Sequence, residues 1–255
     1  MCLIVFAWQI IPGMPLIAAG NRDEFYHRPA APAHWWRDHP HIYAGRDIQG
    51  GGTWMGITRE GRFAAVTNVR VPHERRTDAP SRGGLVRDYL AGQASAEEYI
   101  AGIATQADAF NGFNLLVGDS NRLIWFSNMA NHDARNGHPL APGIYGLSNG
   151  TLDAPWPKVV DTKAQLASLL CQDAPEAAYF EMLRDTQQAP DCRLPKTGVD
   201  LELERMLSAV CIQSPHYGTR VSTLVQLGGR HGTVLHERPV ADGETAFRKE
   251  VMAIF

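Results

Sequence analysis

The chain has 255 residues, 44% hydrophobic and 20% charged, with a formal net charge of −3 and no long basic run, which suits a soluble domain able to bury a core unaided and argues against a partner held by phosphate neutralisation. Its four cysteines, Cys2, Cys171, Cys192 and Cys211, contain no CxxC pair, so neither a zinc or dithiol motif nor a disulfide framework is expected. The apolar start, residues 3–8, is short and not preceded by basic residues, so it reads as a strand and not a signal peptide; with no apolar run of about 18 residues for a membrane span, the expected location is cytoplasmic.

Residues 1–20 predict two strands joined by a turn around residues 12–15, where Pro12-Gly13 is a turn signal. Both are apolar at nearly every position, as in strands covered on both faces. Residues 28–47, rich in Pro, His and Trp, predict a long irregular loop. A hairpin follows over 53–58 and 62–69, then a polar loop over 72–80. Helices are predicted at 84–90 and 95–106, the second opened by a Ser95/Glu98 capping box. A hairpin at 112–118 and 123–127 and a short strand at 144–148 come next. Helices are then expected at 157–170 and 176–183, a proline-bearing loop at 187–198, and a helix at 201–210. Strands at 221–226, 233–237 and 245–255 complete the chain. The order gives an α+β fold: a four-layer αββα sandwich of two mainly antiparallel sheets with outer helices, in one domain spanning 1–255.

Cys2 is the most informative residue. With Met1 removed it carries a thiol and a free α-amine, a nucleophile together with its own base. Asn21-Arg22-Asp23-Glu24 follows the second strand. Opposed residues of the first hairpin should sum to about 25–27, which sets Cys2 against residues 23 to 25. Asp23 could then orient the amine, and Arg22 could lower the thiol pKa. Adjacent strand residues point to opposite faces, so one of the two faces Cys2. The bland alternatives are a buried structural cysteine and a charged turn at a strand end.

Gly50-Gly51-Gly52 lacks the Lys-Ser/Thr ending of a phosphate loop, and the ten histidines include no HExxH spacing, so no metal is expected. No cofactor is expected either. Covalent haem lacks its CxxCH motif, whereas noncovalent haem needs only one His or Cys in an apolar pocket. Trp54 reads as a core anchor that can also face a ligand. Cys171, Cys192 and Cys211 read as buried or partly buried thiols.

Met1-Cys2-Leu3-Ile4 with Asn21-Arg22-Asp23-Glu24 resembles the signature of the NRDE, or transport and Golgi organization protein 2, family. So do Gly52-Thr53-Trp54-Met55-Gly56, Thr67-Asn68-Val69-Arg70, Ser81-Arg82-Gly83, Phe113-Asn114-Leu115, Leu147-Ser148-Asn149-Gly150 with Pro155-Trp156-Pro157-Lys158, and Tyr217-Gly218-Thr219-Arg220. The resemblance implies a fold like the N-terminal nucleophile hydrolases of the choloylglycine hydrolase and penicillin acylase type. It implies Cys2, Arg22, Asp23, Asn149 and Arg220 as catalytic residues, with Asn149 as oxyanion donor and Asn68 and Asn114 as competitors for that role. Asn21, Glu24, Asn68 and Trp54 are the expected substrate contacts. The adjacency of Arg22 and Asp23 departs from relatives in which the two are separated.

Two function classes follow. One is an amidohydrolase cleaving a non-peptide C–N amide bond. The other is a non-catalytic binding or trafficking protein for haem or a lipid-like metabolite, since relatives are linked to haem trafficking, lipid metabolism and secretory organisation. In either case the partner is a small molecule and not nucleic acid.

Overall fold

The computed structural model describes residues 2–71, 76–229, 232–240 and 251–254. Strands β1 (Cys2–Ile11) and β2 (Met14–Phe25) open the chain. The turn between them is Pro12-Gly13, with Gly13 at φ +75°, a conformation open to glycine at little cost. Cys2 to Trp8 are all buried. Cys2, Ile4, Phe6 and Trp8 pack into one apolar core and Leu3, Val5 and Ala7 into another, the alternation required of a strand covered on both faces.

Next come β3 (Ala30–Trp35), β4 (Ile42–Asp47), β5 (Met55–Thr58) and β6 (Phe63–Asn68), then helices α1 (Gly83–Ala91) and α2 (Ala96–Ala104). Strands β7 (Phe113–Gly118), β8 (Leu123–Ser127) and β9 (Gly143–Leu147) precede α3 (Pro157–Cys171), α4 (Glu176–Met182) and α5 (Leu201–Ser208). The last strands are β10 (Tyr217–Leu227), β11 (Val234–Pro239) and β12 (Val251–Ile254). One sheet has the order β12-β11-β10-β2-β1-β9 and the other β3-β4-β5-β6-β7-β8. Both are antiparallel throughout.

Phe6 and Trp8 of the first sheet share a core with Phe63 and Trp125 of the second. Helices α1 and α2 cover the outer face of the second sheet, and α3 and α4 cover that of the first. The result is the expected αββα sandwich. Ser95 caps α2 in the reciprocal box with Glu98. Among the described residues no helix is long and apolar enough to cross a membrane.

Several expectations are corrected. Strand β2 does not stop at residue 20 but runs through Asn21-Arg22-Asp23-Glu24, because β1 and β10 flank it and supply ladder partners out to Phe25. These residues therefore form no charged surface turn: Asn21, Arg22 and Asp23 are buried. Cys2 pairs with Arg22, and partners from Cys2 to Trp8 sum to 24: the two-residue turn sets Ile11 opposite Met14, a sum of 25, and a register shift between Trp8 and Ile11 removes one more. Residues 28–47 contain β3 and β4 in place of a loop; Pro32 is tolerated because β3 is an edge strand with a bulge between Ala31 and His34. Cys171 and Cys192 are exposed, and only Cys211 of the later cysteines is buried. Parts of the expected 72–80 loop and 245–255 strand lie outside the described residues.

Candidate active site

Cys2 heads β1, which lies between β2 and the edge strand β9. Its direct partner across the ladder is Arg22. Even-numbered residues of both strands, such as Ile4, Phe6, Leu16 and Ala18, face the space between the sheets, so Cys2 and Arg22 emerge on that side together. There they line a cavity of about 1090 Å³ that also meets Glu24, Trp54, Asn68 and Asn149. Gly20 lets Trp54 approach: a Cβ at Gly20 would lie 3.3 Å from the Trp54 ring and 2.6 Å from the Leu3 carbonyl oxygen.

The Arg22 guanidinium is nearly buried, and its Nη1 has no hydrogen-bond partner among the described residues. Its ion pairs are long, 3.7 Å to Glu24 Oε2 and 3.9 Å to Asp47 Oδ2. Arg28 makes the close contact with Asp47, at 2.8 Å. Arg22 thus places a weakly matched positive charge at the cavity wall beside Cys2.

Asp23 serves both faces of β2. Its backbone N–H donates to Cys2 Sγ. Its carboxylate lies on the opposite, odd-numbered face with Ile17 and Ala19, where Oδ1 accepts from Thr219 Oγ1 at 2.6 Å. Burial pushes the Cys2 thiol up, the Asp23 charge pushes the same way, and Arg22 and the Asp23 N–H oppose them. Burial also pushes the Asp23 carboxyl up, opposed first by Lys158.

Asn149 is buried beside the start of β1. Its Nδ2 donates to the Asn68 carbonyl at 2.8 Å, which leaves the amide a second N–H. Its own carbonyl accepts from the Arg70 N–H at 2.8 Å. Ser148 Oγ donates to the Cys2 carbonyl at 3.0 Å, tying this turn to the nucleophile strand. Asn114 is used elsewhere: Nδ2 donates to Thr67 Oγ1 at 3.1 Å and to the Gly150 carbonyl at 2.7 Å.

Two expected site residues are placed differently. Asn21 lies on the odd-numbered face of β2, where Nδ2 donates to the Leu183 and Val210 carbonyls at 2.8 and 2.9 Å. It anchors the helical layer and does not line the cavity. Arg220 falls at the bulge between Thr219 and Val221, which re-aims its side chain onto the Phe25 and Arg28 carbonyls. It supports the segment that carries Arg28.

Sequence reasoning assigned no role to Arg70, Lys158 or Glu237. Arg70 Nη1 contacts Glu204 Oε2 at 2.7 Å in a buried ion pair that fastens α5 to the segment after β6. Lys158 is buried in the first turn of α3, and burial brings its amine down to about 8. Glu237 lines the cavity, accepts from the Ala33 N–H at 2.8 Å, and is pushed up to about 7 by burial. Arg70 and Lys158 lie in motifs that carry the family resemblance. Glu237 carried a weaker signal, a lone charge at the strand parity that faces inward.

The fold matches a solved N-acylethanolamine-hydrolyzing acid amidase ortholog from Caenorhabditis elegans, with a TM-score of 0.52 over 100% of both chains and 14% identity. At that identity the likeness establishes an N-terminal nucleophile hydrolase fold and no particular chemistry. The chain is 35% identical over 245 residues to the Transport and Golgi organization protein 2 homolog of Bos taurus, covering 88% of each chain. It is 32% identical over 264 aligned residues to the Homo sapiens homolog, covering 95% of this chain and 94% of that one. A sequence model of the family described as Transport and Golgi organisation 2 matches residues 1–242, and the chain belongs to that family.

Proposed function

We propose that this chain is a cysteine N-terminal nucleophile amidohydrolase acting on a non-peptide amide. The observation that carries the reading is the pairing of Cys2 with Arg22 on the cavity side of β1 and β2, with the Asp23 N–H on the sulfur. Once Met1 is removed, the α-amine of Cys2 takes the thiol proton and the thiolate adds to the amide carbonyl carbon. The second N–H of Asn149 and a backbone N–H hold the resulting oxyanion. The α-ammonium returns the proton to the leaving nitrogen as the C–N bond breaks, leaving an acyl thioester on Cys2. Water, deprotonated by the amine, releases the acid. The fold neighbour's name describes cleavage of an N-acylethanolamine, an amide of this general kind.

The second reading is a binding or trafficking module for a lipid-like ligand or haem. Two features favour it: burial pushes the Cys2 thiol up, against the thiolate a nucleophile needs, and Val69, Phe110, Met129, Leu203 and Met206 supply apolar wall to the cavity. Turnover of an amide panel by Met-free protein separates the two. The hydrolase reading expects turnover that Cys2→Ala abolishes and Cys2→Ser retains weakly. Ligand uptake by wild type and Cys2→Ala alike, without turnover of any amide, supports the carrier instead.

A further inference from the structure

A second, small cavity adjoins the first and shares Arg70 and Leu207 with it. It lies between the start of α3, α5 and the segment after β6, and measures about 10 Å³. That is room for one water molecule or one monatomic ion, and for no polyatomic anion. Lys158 and Arg70 both line it. Lys158 is 3% exposed and the Arg70 side chain 7%.

Each of the two carries a buried donor with no hydrogen-bond partner among the described residues, Lys158 Nζ and Arg70 Nε. Such donors are costly to bury unmet. The other polar side chains lining the cavity are engaged. Glu204 Oε1 accepts from the Thr197 N–H at 2.9 Å and from Thr197 Oγ1 at 2.5 Å, and Oε2 accepts from Arg70 Nη1 at 2.7 Å. Ser208 Oγ accepts from the Ala189 N–H at 2.9 Å and donates to the Arg205 carbonyl at 2.6 Å. Helix α3 begins at this cavity with Trp156 at its N-cap and no side-chain cap. The first-turn N–H groups add the positive end of the helix dipole.

The charges lining the cavity are Lys158 and Arg70 against Glu204 alone, an excess of one positive charge. Asp23 and Cys2 act on Lys158 from the sheet but do not line this cavity. A water molecule would meet the two donors and leave the excess charge in place. A monatomic anion meets the donors and cancels the charge.

We propose that this cavity is a halide site in which Lys158 Nζ, Arg70 Nε and the start of α3 hold one chloride ion. The bound ion fixes Arg70, whose backbone N–H donates to the Asn149 carbonyl at 2.8 Å beside the larger cavity. The site is independent of the hydrolase reading, since it is built from charge, space and unmet donors behind the Cys2 cavity.

Two measurements test it, and neither involves turnover. In crystals of the full chain with bromide as the sole halide, an anomalous difference peak should lie in contact with Lys158 Nζ and Arg70 Nε. A water molecule there without anomalous signal overturns the proposal. In solution, chloride should raise the thermal midpoint of wild type over isethionate, an anion too large for the cavity, at equal ionic strength. The rise should be about 2–4 °C once chloride exceeds its dissociation constant roughly fivefold, and it should vanish in Lys158→Met. An equal rise in both proteins refutes the site. If Lys158→Met does not fold, the wild-type comparison stands alone, and equal midpoints in chloride and isethionate refute it.

Discussion

Cys2 and Arg22 are direct partners across the β1–β2 ladder, and both side chains open onto the same inter-sheet cavity. The guanidinium lowers a thiol that burial and Asp23 push up. Arg22→Gln should therefore slow alkylation of Cys2 by iodoacetamide at neutral pH by roughly 3–10-fold, the effect of about half to one pH unit in thiol acidity. Peptide mapping with exposed Cys171 as internal reference measures it. Equal Cys2 rates in the two proteins would show that Arg22 does not tune the thiol.

The buried Arg70–Glu204 pair joins α5, one wall of the cavity, to the segment leading from β6. Glu204→Ala leaves Arg70 buried without its partner and should cost about 3–5 kcal/mol in urea unfolding. The double variant Arg70→Met/Glu204→Leu should recover most of that loss, because no charge is then stranded. A double variant whose loss equals the summed losses of Arg70→Met and Glu204→Leu made singly would contradict this assignment.

Glu237 provides a pH-dependent effect with a definite sign. Its carboxyl is raised from an ordinary 4.5 to about 7 by burial, opposed by the Ala33 N–H and by Arg22. The folded state therefore holds this proton more tightly than the unfolded chain. The associated stability is fully present below about 4.5 and is lost as pH rises through about 7. Glu237→Gln keeps an oxygen for the Ala33 N–H and does not titrate. Relative to that variant, wild type should lose stability between pH 4.5 and 7, by up to roughly 3 kcal/mol. Parallel stability–pH curves for the two proteins would exclude the effect.

The Ser95/Glu98 capping box, legible in the sequence, satisfies two backbone donors at the start of α2. Ser95→Ala should cost about 1 kcal/mol in urea unfolding and leave Cys2 reactivity unchanged. A loss below about 0.3 kcal/mol would show that the cap contributes nothing beyond its exposed setting.

Local signals carried much of this fold, and features set by distant packing were not legible. The run 3–8, apolar at consecutive positions, correctly implied a strand covered on both faces. The expected opposition of Cys2 to residues 23–25 missed Arg22 because a register shift between Trp8 and Ile11 moves the ladder one residue beyond what the two-residue turn at Pro12-Gly13 sets. Asn21-Arg22-Asp23-Glu24 resembled a strand end because propensity cannot foresee that β10, almost 200 residues later, extends β2 to Phe25. Pro32 hid β3, since the sequence does not reveal that this strand is an edge. Parity correctly implied that Arg22 and Asp23 diverge, yet the same parity was not applied to Asn21. The orientation of Arg220 depends on a bulge, a one-residue irregularity without a distinct residue signature here. Lys158 was visible as part of a motif, but its burial follows from how α3 seats on the sheet.

The most direct measurement is intact-mass spectrometry of Met-free protein incubated with an activated acyl ester, followed by peptide mapping. An N-terminal nucleophile hydrolase should gain one acyl group at Cys2, lose it over time to water, and gain none there in Cys2→Ala. Met-free protein that stays unacylated at Cys2, while exposed Cys171 and Cys192 react, would contradict a nucleophilic role for Cys2.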